Sequence, residues 1–263
     1  MLDSKLIKNS LEKLRLKLNN NIPSIGSWIQ LNNSSVGSII ANNNFDWLVL
    51  DLEHGEIDEI NIPDMTDAIQ HYCPLVFARI RFPEATFCSR ALDLGANGII
   101  IPKIETLDQI KTLRDSMYYP PYGNRGVGYS KTNLYGVNLI KHFSEQNKPF
   151  LVAMIETKKG VENLDRILQC NDLDAILIGP YDLSASYNKP GDIDSPFIKE
   201  KICYILETCK KLSVPVGVHI VEPDKLNLEL NINKGFTFIP YSIDTVFLRK
   251  ASKNPMTENL ELE

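Results

Sequence analysis

The residues best suited to chemistry in this chain lie between Phe150 and Ser186, in FLVAMIETKKGVENLDRILQCNDLDAILIGPYDLSAS. A continuous apolar run, Phe150 to Ile155, delivers Glu156, and a second, Ala175 to Ile178, closed by Gly179 and Pro180, delivers Asp182. Short apolar runs bounded by turn residues read as buried strands. Thr157 can cap a helix between them, in which Val161, Leu164, Ile167 and Leu168 recur at helical spacing. A strand-helix-strand unit of about 30 residues makes its strands parallel, so both carboxylates belong on one rim, where barrels and open sheets bind ligands. Two oxygen donors with room for water and substrate suit a hard divalent cation such as magnesium or manganese. The same pair would serve equally as strand-end acids bridged by a nearby Lys or Arg.

Further strand ends bring Trp28, Gln30, Asp51, Glu53, His54, Arg79, Lys103, His219 and Asp244 to the same rim. In DLEHG, Asp51 precedes His54 closely enough to orient its ring, which makes an acid/base dyad; alternatively His54 only caps a helix or satisfies a local carbonyl. Arg79 follows the apolar VFA and carries a fixed charge into the mouth, to hold a carboxylate or an oxyanion, or else to bridge rim acids. His219 in VGVHI has no adjacent carboxylate and reads as packed or substrate-contacting, while Lys103 is the one lysine placed for a Schiff base, without a second feature in support.

The elements that position these groups repeat along the chain. Strands are expected at 24–30, 46–50, 75–80, 98–101, 150–155, 175–178, 214–220 and 236–240, separated by helical segments at 35–41, 58–71, 84–96, 107–116, 157–168, 196–212 and 223–234, after an amphipathic surface helix at 5–18. Eight strands alternating with helices in 263 residues make an α/β protein of the (β/α)8 (TIM) barrel class, one domain over residues 1–251 with a polar tail at 252–263. The irregular stretch from Tyr118 to Gly136, with paired prolines and repeated glycines, is expected to be a functional loop over the rim.

A net charge of -5 with interspersed signs carries no nucleic-acid footprint. Five cysteines without a C-x-x-C pair read as reduced thiols of a cytoplasmic protein, and no apolar run approaches the length of a membrane span.

Together FDWLVLDLEHG, ALDLGANGIIIPKIET, YPPYGNRGVG, IETKKGVENLD and IGPYDLSAS resemble, in the same order, segments of the metal-dependent class II pyruvate aldolases, the aldolase/citrate lyase family. The resemblance spans about Ile25 to Leu248. It implies a barrel of the phosphoenolpyruvate/pyruvate-domain type that cleaves a 4-hydroxy-2-oxo acid to pyruvate and an aldehyde through a metal-stabilised enolate. Glu156 and Asp182 then correspond to the metal ligands, His54 with Asp51 to the acid/base dyad, and Arg79 to the arginine that stabilises the enolate oxygen. Trp28, Met154, Gly179, Pro180 and Tyr181 fall in the substrate-binding set, and Arg125 and Gly126 in a rim loop. The implied cofactor is magnesium or manganese, with cobalt and zinc as alternatives, and the implied assembly a homo-oligomer, hexameric with a swapped C-terminal helix or dimer-based. The implied partners are a small 2-oxo acid and an aldehyde, with no nucleic acid and no membrane.

Three positions depart from the family pattern. Met154 stands where glutamine is frequent near bound pyruvate, Tyr118 where arginine commonly precedes Tyr-Pro-Pro, and Ser242 where glycine is frequent. They leave open a citrate-synthase-like condensation of a 2-oxo diacid on the same barrel, or a non-catalytic barrel that binds a small acid.

Overall fold

The computed structural model describes residues 4–144 and 147–254, so most of the expected tail lies outside the described residues. The strands are β1 (Ser24–Ile29), β2 (Trp47–Asp51), β3 (Val76–Arg79), β4 (Gly98–Ile101), β5 (Phe150–Ile155), β6 (Ala175–Ile178), β7 (Val216–Val218) and β8 (Phe238–Ile243). They pair in parallel in the order β7-β6-β5-β4-β3-β2-β1-β8. The ring closes where the Thr237 amide donates to the Val216 carbonyl at 2.9 Å, the Ile220 amide to the Pro240 carbonyl at 3.0 Å, and Ile220 bridges Tyr241. The helices are α1 (Ser4–Asn19), α2 (Ser34–Ala41), α3 (Ile62–Gln70), α4 (Ala85–Asp93), α5 (Leu107–Met117), α6 (Leu139–Ser144), α7 (Lys158–Glu162), α8 (Leu164–Ile167), α9 (Pro180–Ser186), α10 (Pro196–Lys211), α11 (Lys225–Lys234) and α12 (Asp244–Ala251).

Alternation along the strands separates two cores. Leu48, Leu50, Val76, Ala78, Leu151, Ala153 and Ile155 face outward to the helices, whereas Trp47, Val49, Phe77, Phe150, Val152, Met154 and Phe238 fill the barrel interior. The interior floor is aromatic: Trp47 stacks on Phe238 with ring centres 4.2 Å apart and Phe77 on Phe150 at 5.0 Å. Gly26, Gly98 and Gly217 make room for it, since a Cβ on any of them would drive into Trp47, Phe150 or Phe238. Helix α1 corks this end, burying Leu11, Leu14 and Leu18 against the interior cluster. Such side chains contribute about 1.5–3 kcal/mol apiece when fully buried. Arg15 pins α1 by donating to both carboxylate oxygens of Asp174, just before β6. The opposite end of the barrel is left open for a site.

The expected strands and helices are present, with shifts that have local causes. Thr157 caps as expected, its hydroxyl accepting the Gly160 amide at 3.0 Å, but the single helix expected over 157–168 breaks at Asn163 into α7 and α8. Strand β7 starts later than expected because the Val214 amide closes the end of α10 on the Cys209 carbonyl. Helix α12 sits on its own barrel, with Asp244 accepting the Gln30, Leu31 and Thr245 amides, so Asp244 ties α12 to the end of β1 with both oxygens occupied.

One placement is corrected. The segment holding Arg125 and Gly126 follows α5, which carries the chain back from the rim, and it packs at the far end of the barrel. There Arg125 is buried and paired with Asp93, the last residue of α4, while Gly126 is exposed. It is no rim loop of its own chain.

Candidate active site

The mouth is built from the carboxyl ends of the strands. Glu156 directly follows β5 and is 1 % exposed. Its Oε1 accepts the backbone amide of Lys103 at 2.8 Å, which Lys103 can offer because its backbone turns through the left-handed region at φ 53° just after β4. Its Oε2 is buried without a partner. Gly179, after β6, leaves the space beside that oxygen open, since a Cβ there would collide with Oε2. Asp182 is not at the strand end itself but in the first turn of α9, and its charge reaches Glu156. Burial, then the charges of Asp182 and Glu53, push the Glu156 carboxyl up to about 7, and the Lys103 amide and the Arg79 charge do not offset them.

These are the features of a divalent-cation seat supplied by few protein ligands: two carboxylates, one with an orphaned buried oxygen, and an open cradle next to it. Among the described residues no group of three or more His, Cys, Asp or Glu converges to hold an ion. A cation held there by these two carboxylates would take its remaining coordination from water and substrate.

Across the mouth, β2 and β3 bring Asp51 and Arg79 into register. Arg79 forms a forked pair with Asp51, Nε to Oδ1 at 2.8 Å and Nη2 to Oδ2 at 2.7 Å, and its Nη1 lies 3.4 Å from Glu53. The guanidinium lies 5.4 Å from the Trp28 ring centre. Asp51 is fully buried, and despite that desolvation the Arg79 pair and the Gln30 amide hold its carboxyl below the usual range.

Asp51 does not touch the His54 ring, which corrects the expected dyad geometry. Its Oδ1 instead accepts the backbone amides of Glu53 at 3.1 Å and His54 at 3.2 Å, and both oxygens are taken by Arg79. The chain turns tightly after β2 to satisfy these amides, and the turn leaves the His54 side chain exposed at the edge of the mouth. Asp51 thus fixes Arg79 and the turn that carries His54.

Of the other expected residues, Trp28 and Met154 are buried in the interior at the mouth, with Met154 beside Gly179. Pro180 opens α9, and Tyr181 is exposed there. Ser242 has φ 60°, in the left-handed region that glycine adopts without strain, so its departure from glycine is real strain, and its Oγ is buried without a partner. Two contributors went unassigned from the sequence. Glu53 links Arg79 to the Lys103 ammonium, 3.0 Å from its Oε1, and its place in DLEHG was a usable signal. The Lys103 amide that holds Glu156 is a backbone group and leaves no mark in residue type. The Glu53 contact also raises the Lys103 pKa, which keeps the ammonium protonated and opposes a Schiff-base role.

Comparison with known proteins places this geometry in context. The pattern of HpcH/HpaI aldolase/citrate lyase matches residues 24–251. A hydroxypyruvate/pyruvate aldolase of Roseobacter denitrificans is 32 % identical over 232 residues, covering 87 % of this chain and 90 % of that protein. A 5-keto-4-deoxy-D-glucarate aldolase of Shigella sonnei is 30 % identical over 231 residues, covering 87 % and 89 %. Among solved structures, an HpcH/HpaI aldolase/citrate lyase family protein from Burkholderia cenocepacia superposes with a TM-score of 0.85 at 27 % identity, covering 91 % of this chain and 96 % of that one.

Proposed function

Since the chain belongs to the HpcH/HpaI aldolase/citrate lyase family, matched across residues 24–251, we propose that it is a class II carbon-carbon lyase that reversibly cleaves a 4-hydroxy-2-oxo acid to pyruvate and an aldehyde. The observation that carries this reading is the buried, unpartnered Oε2 of Glu156 beside Asp182, opposite a forked Arg79. Glu156 and Asp182 would hold a divalent cation, magnesium or manganese by the hardness of the donors. A cation bound there would supply the Lewis acidity that makes the methyl protons of pyruvate removable.

The residues of the chain supply the rest. Arg79, locked by Asp51 and supported by Trp28, holds a fixed positive charge where the oxyanion develops and needs no reorganisation during reaction. His54, exposed at the edge, exchanges protons with the substrate through a water, and Asp51 acts as a positioning residue for both. Met154 and Trp28 form the apolar wall that excludes bulk water from the reacting carbon. The free cysteines fit a cytoplasmic enzyme, and the exposed Val127, Tyr129, Tyr135, Val137 and Ile140 suit a contact between copies in a homo-oligomer.

The test is exchange of the pyruvate methyl protons into heavy water, followed by NMR with and without added magnesium or manganese. Metal-dependent exchange that chelation abolishes is expected. Exchange that survives exhaustive chelation, with a borohydride-trapped adduct, would instead indicate a lysine Schiff base.

A further inference from the structure

We infer that His219 is a specificity-determining residue of the mouth, presenting a bare ring nitrogen that accepts a hydrogen bond from a hydroxyl on the aldehyde portion of the substrate. The inference rests on the aldolase reading and adds to it the group that recognises the second substrate. His219 follows β7, where Val216 and Val218 face the outer core and Gly217 faces the floor beneath Phe238. Alternation therefore turns His219 inward, above Gly217, at the open end of the barrel. Its neighbours round the ring are β6, which leads into Asp182, and β8, which carries Ser242.

The ring is held on two sides. It lies 4.9 Å from the Trp28 ring, tilted by 31°, and Trp28 in turn carries Arg79. Its Nε2 lies 3.3 Å from the carbonyl oxygen of Ser242, the residue whose φ of 60° sets the direction of that carbonyl. A carbonyl oxygen can only accept, so Nε2 carries the proton and Nδ1 keeps a free lone pair. Nothing among the described residues donates to Nδ1, and the residue is half-buried at the carboxyl end of β7.

Protonation would abolish this acceptor, and the surroundings prevent it. Burial pushes the imidazole down to about 4, over the opposing hydrogen bond to the Ser242 carbonyl, with weaker contributions from the charges of Arg79, which lowers it, and Asp51, which raises it. At neutral pH the ring is a neutral acceptor packed against Trp28. A fixed acceptor with no internal partner favours a ligand that brings a donor, and a hydroxyl is the donor that a hydroxyaldehyde has and a plain aldehyde lacks.

Glycolaldehyde and acetaldehyde differ by that one hydroxyl. The experiment measures kcat/KM for each with pyruvate and magnesium, in wild type, His219→Leu and His219→Asn. In His219→Leu the glycolaldehyde-to-acetaldehyde ratio is expected to fall about 5–10-fold, the worth of one neutral hydrogen bond. His219→Asn keeps an oxygen acceptor near the position of Nδ1 and should restore most of the ratio. A residue that merely packs against Trp28 would affect both aldehydes alike and leave the ratio unchanged, and that result overturns the inference. So does an equal fall in His219→Asn. If His219→Leu shows no cooperative thermal transition, His219→Met replaces it and is read in the same way. A wild type that turns over neither aldehyde, while metal-dependent pyruvate exchange is also absent, sinks the aldolase reading itself; turnover with an insensitive ratio sinks only the role of His219.

Discussion

Replacing Glu156 by Gln should stabilise the metal-free protein while removing its response to metal. The carboxyl is driven up to about 7 from an ordinary 4.5 by burial and by Asp182 and Glu53, a gap that corresponds to about 3 kcal/mol. Below pH 4.5 the group is protonated in both folded and unfolded chains and contributes nothing. Between 4.5 and 7 the unfolded chain releases its proton while the native state retains it, so native stability falls as pH rises, and above 7 the whole penalty is present. Gln has nearly the same shape, its amide oxygen can still accept the Lys103 amide, and it never ionises.

Thermal melting of chelated protein from pH 4.5 to 8 provides the assay. The Glu156→Gln variant and wild type should melt together at the acid end and separate with rising pH, reaching about 5–10 °C in favour of the variant above 7. Adding magnesium at about a hundred times its Kd should then stabilise wild type by about 2.7 kcal/mol and leave the variant unmoved. Parallel melting curves across the whole range would refute the reasoning, because the orphaned oxygen would then not be a destabilising charge.

Other substitutions test the opposite wall. Arg79→Lys should lower pyruvate proton exchange by about a hundredfold or more although the charge is kept, since an ammonium cannot form the fork to Asp51; turnover within a few-fold of wild type would make Arg79 structural. His54→Ala should reduce both exchange and aldol cleavage by about 10²–10⁴-fold with metal affinity unchanged by calorimetry, and retention of both rates would reject His54 as the proton carrier. Asp51→Asn, which strips a buried partner from Arg79, should destabilise the fold by about 3–5 kcal/mol in denaturant titrations, and a loss under 1 kcal/mol would show the pair to be solvated. Gly179→Ala should weaken magnesium binding at least tenfold by filling the cradle at Glu156 Oε2 without changing any donor; unaltered affinity would mean that the ion sits elsewhere.

The barrel was legible because its signals are local. Apolar runs such as FLVAMI and AILI, turn residues between them and a capping Thr157 each specify an element without reference to distant residues. Strand ends then place their last side chains on one rim by topology alone, and this is why Glu156, Arg79 and Asp51 could be put at the mouth from the sequence. The errors concern what a rim side chain touches. Asp51 and His54 are close in sequence, yet Arg79, brought alongside Asp51 by the β2–β3 register, is the stronger partner for a buried carboxylate and takes both of its oxygens. Arg125 and Gly126 were assigned to a rim loop by resemblance, whereas the side of the barrel on which the Tyr118 to Gly136 stretch lies is set by the direction of α5. Helix α9 was likewise hidden, because Gly179 and Pro180 read as a strand stop as readily as a helix start.

The charges of the mouth account for why its chemistry calls for a divalent ion rather than for another side chain. Arg79 and Asp51 neutralise each other within a forked pair, and Lys103 balances one of the three remaining carboxylates, Glu53, Glu156 and Asp182, by its contact with Glu53. Two negative charges are left, on the two residues nearest the orphaned oxygen and the open cradle. A monovalent cation would leave one of them uncompensated in a desolvated corner, where an unpaired charge is costly. A dication held by both carboxylates would cancel both charges and leave positions for a 2-oxo acid. Sodium or potassium should therefore fail to replace magnesium in restoring stability above pH 7, and full restoration by either would refute the need for a double positive charge at this corner.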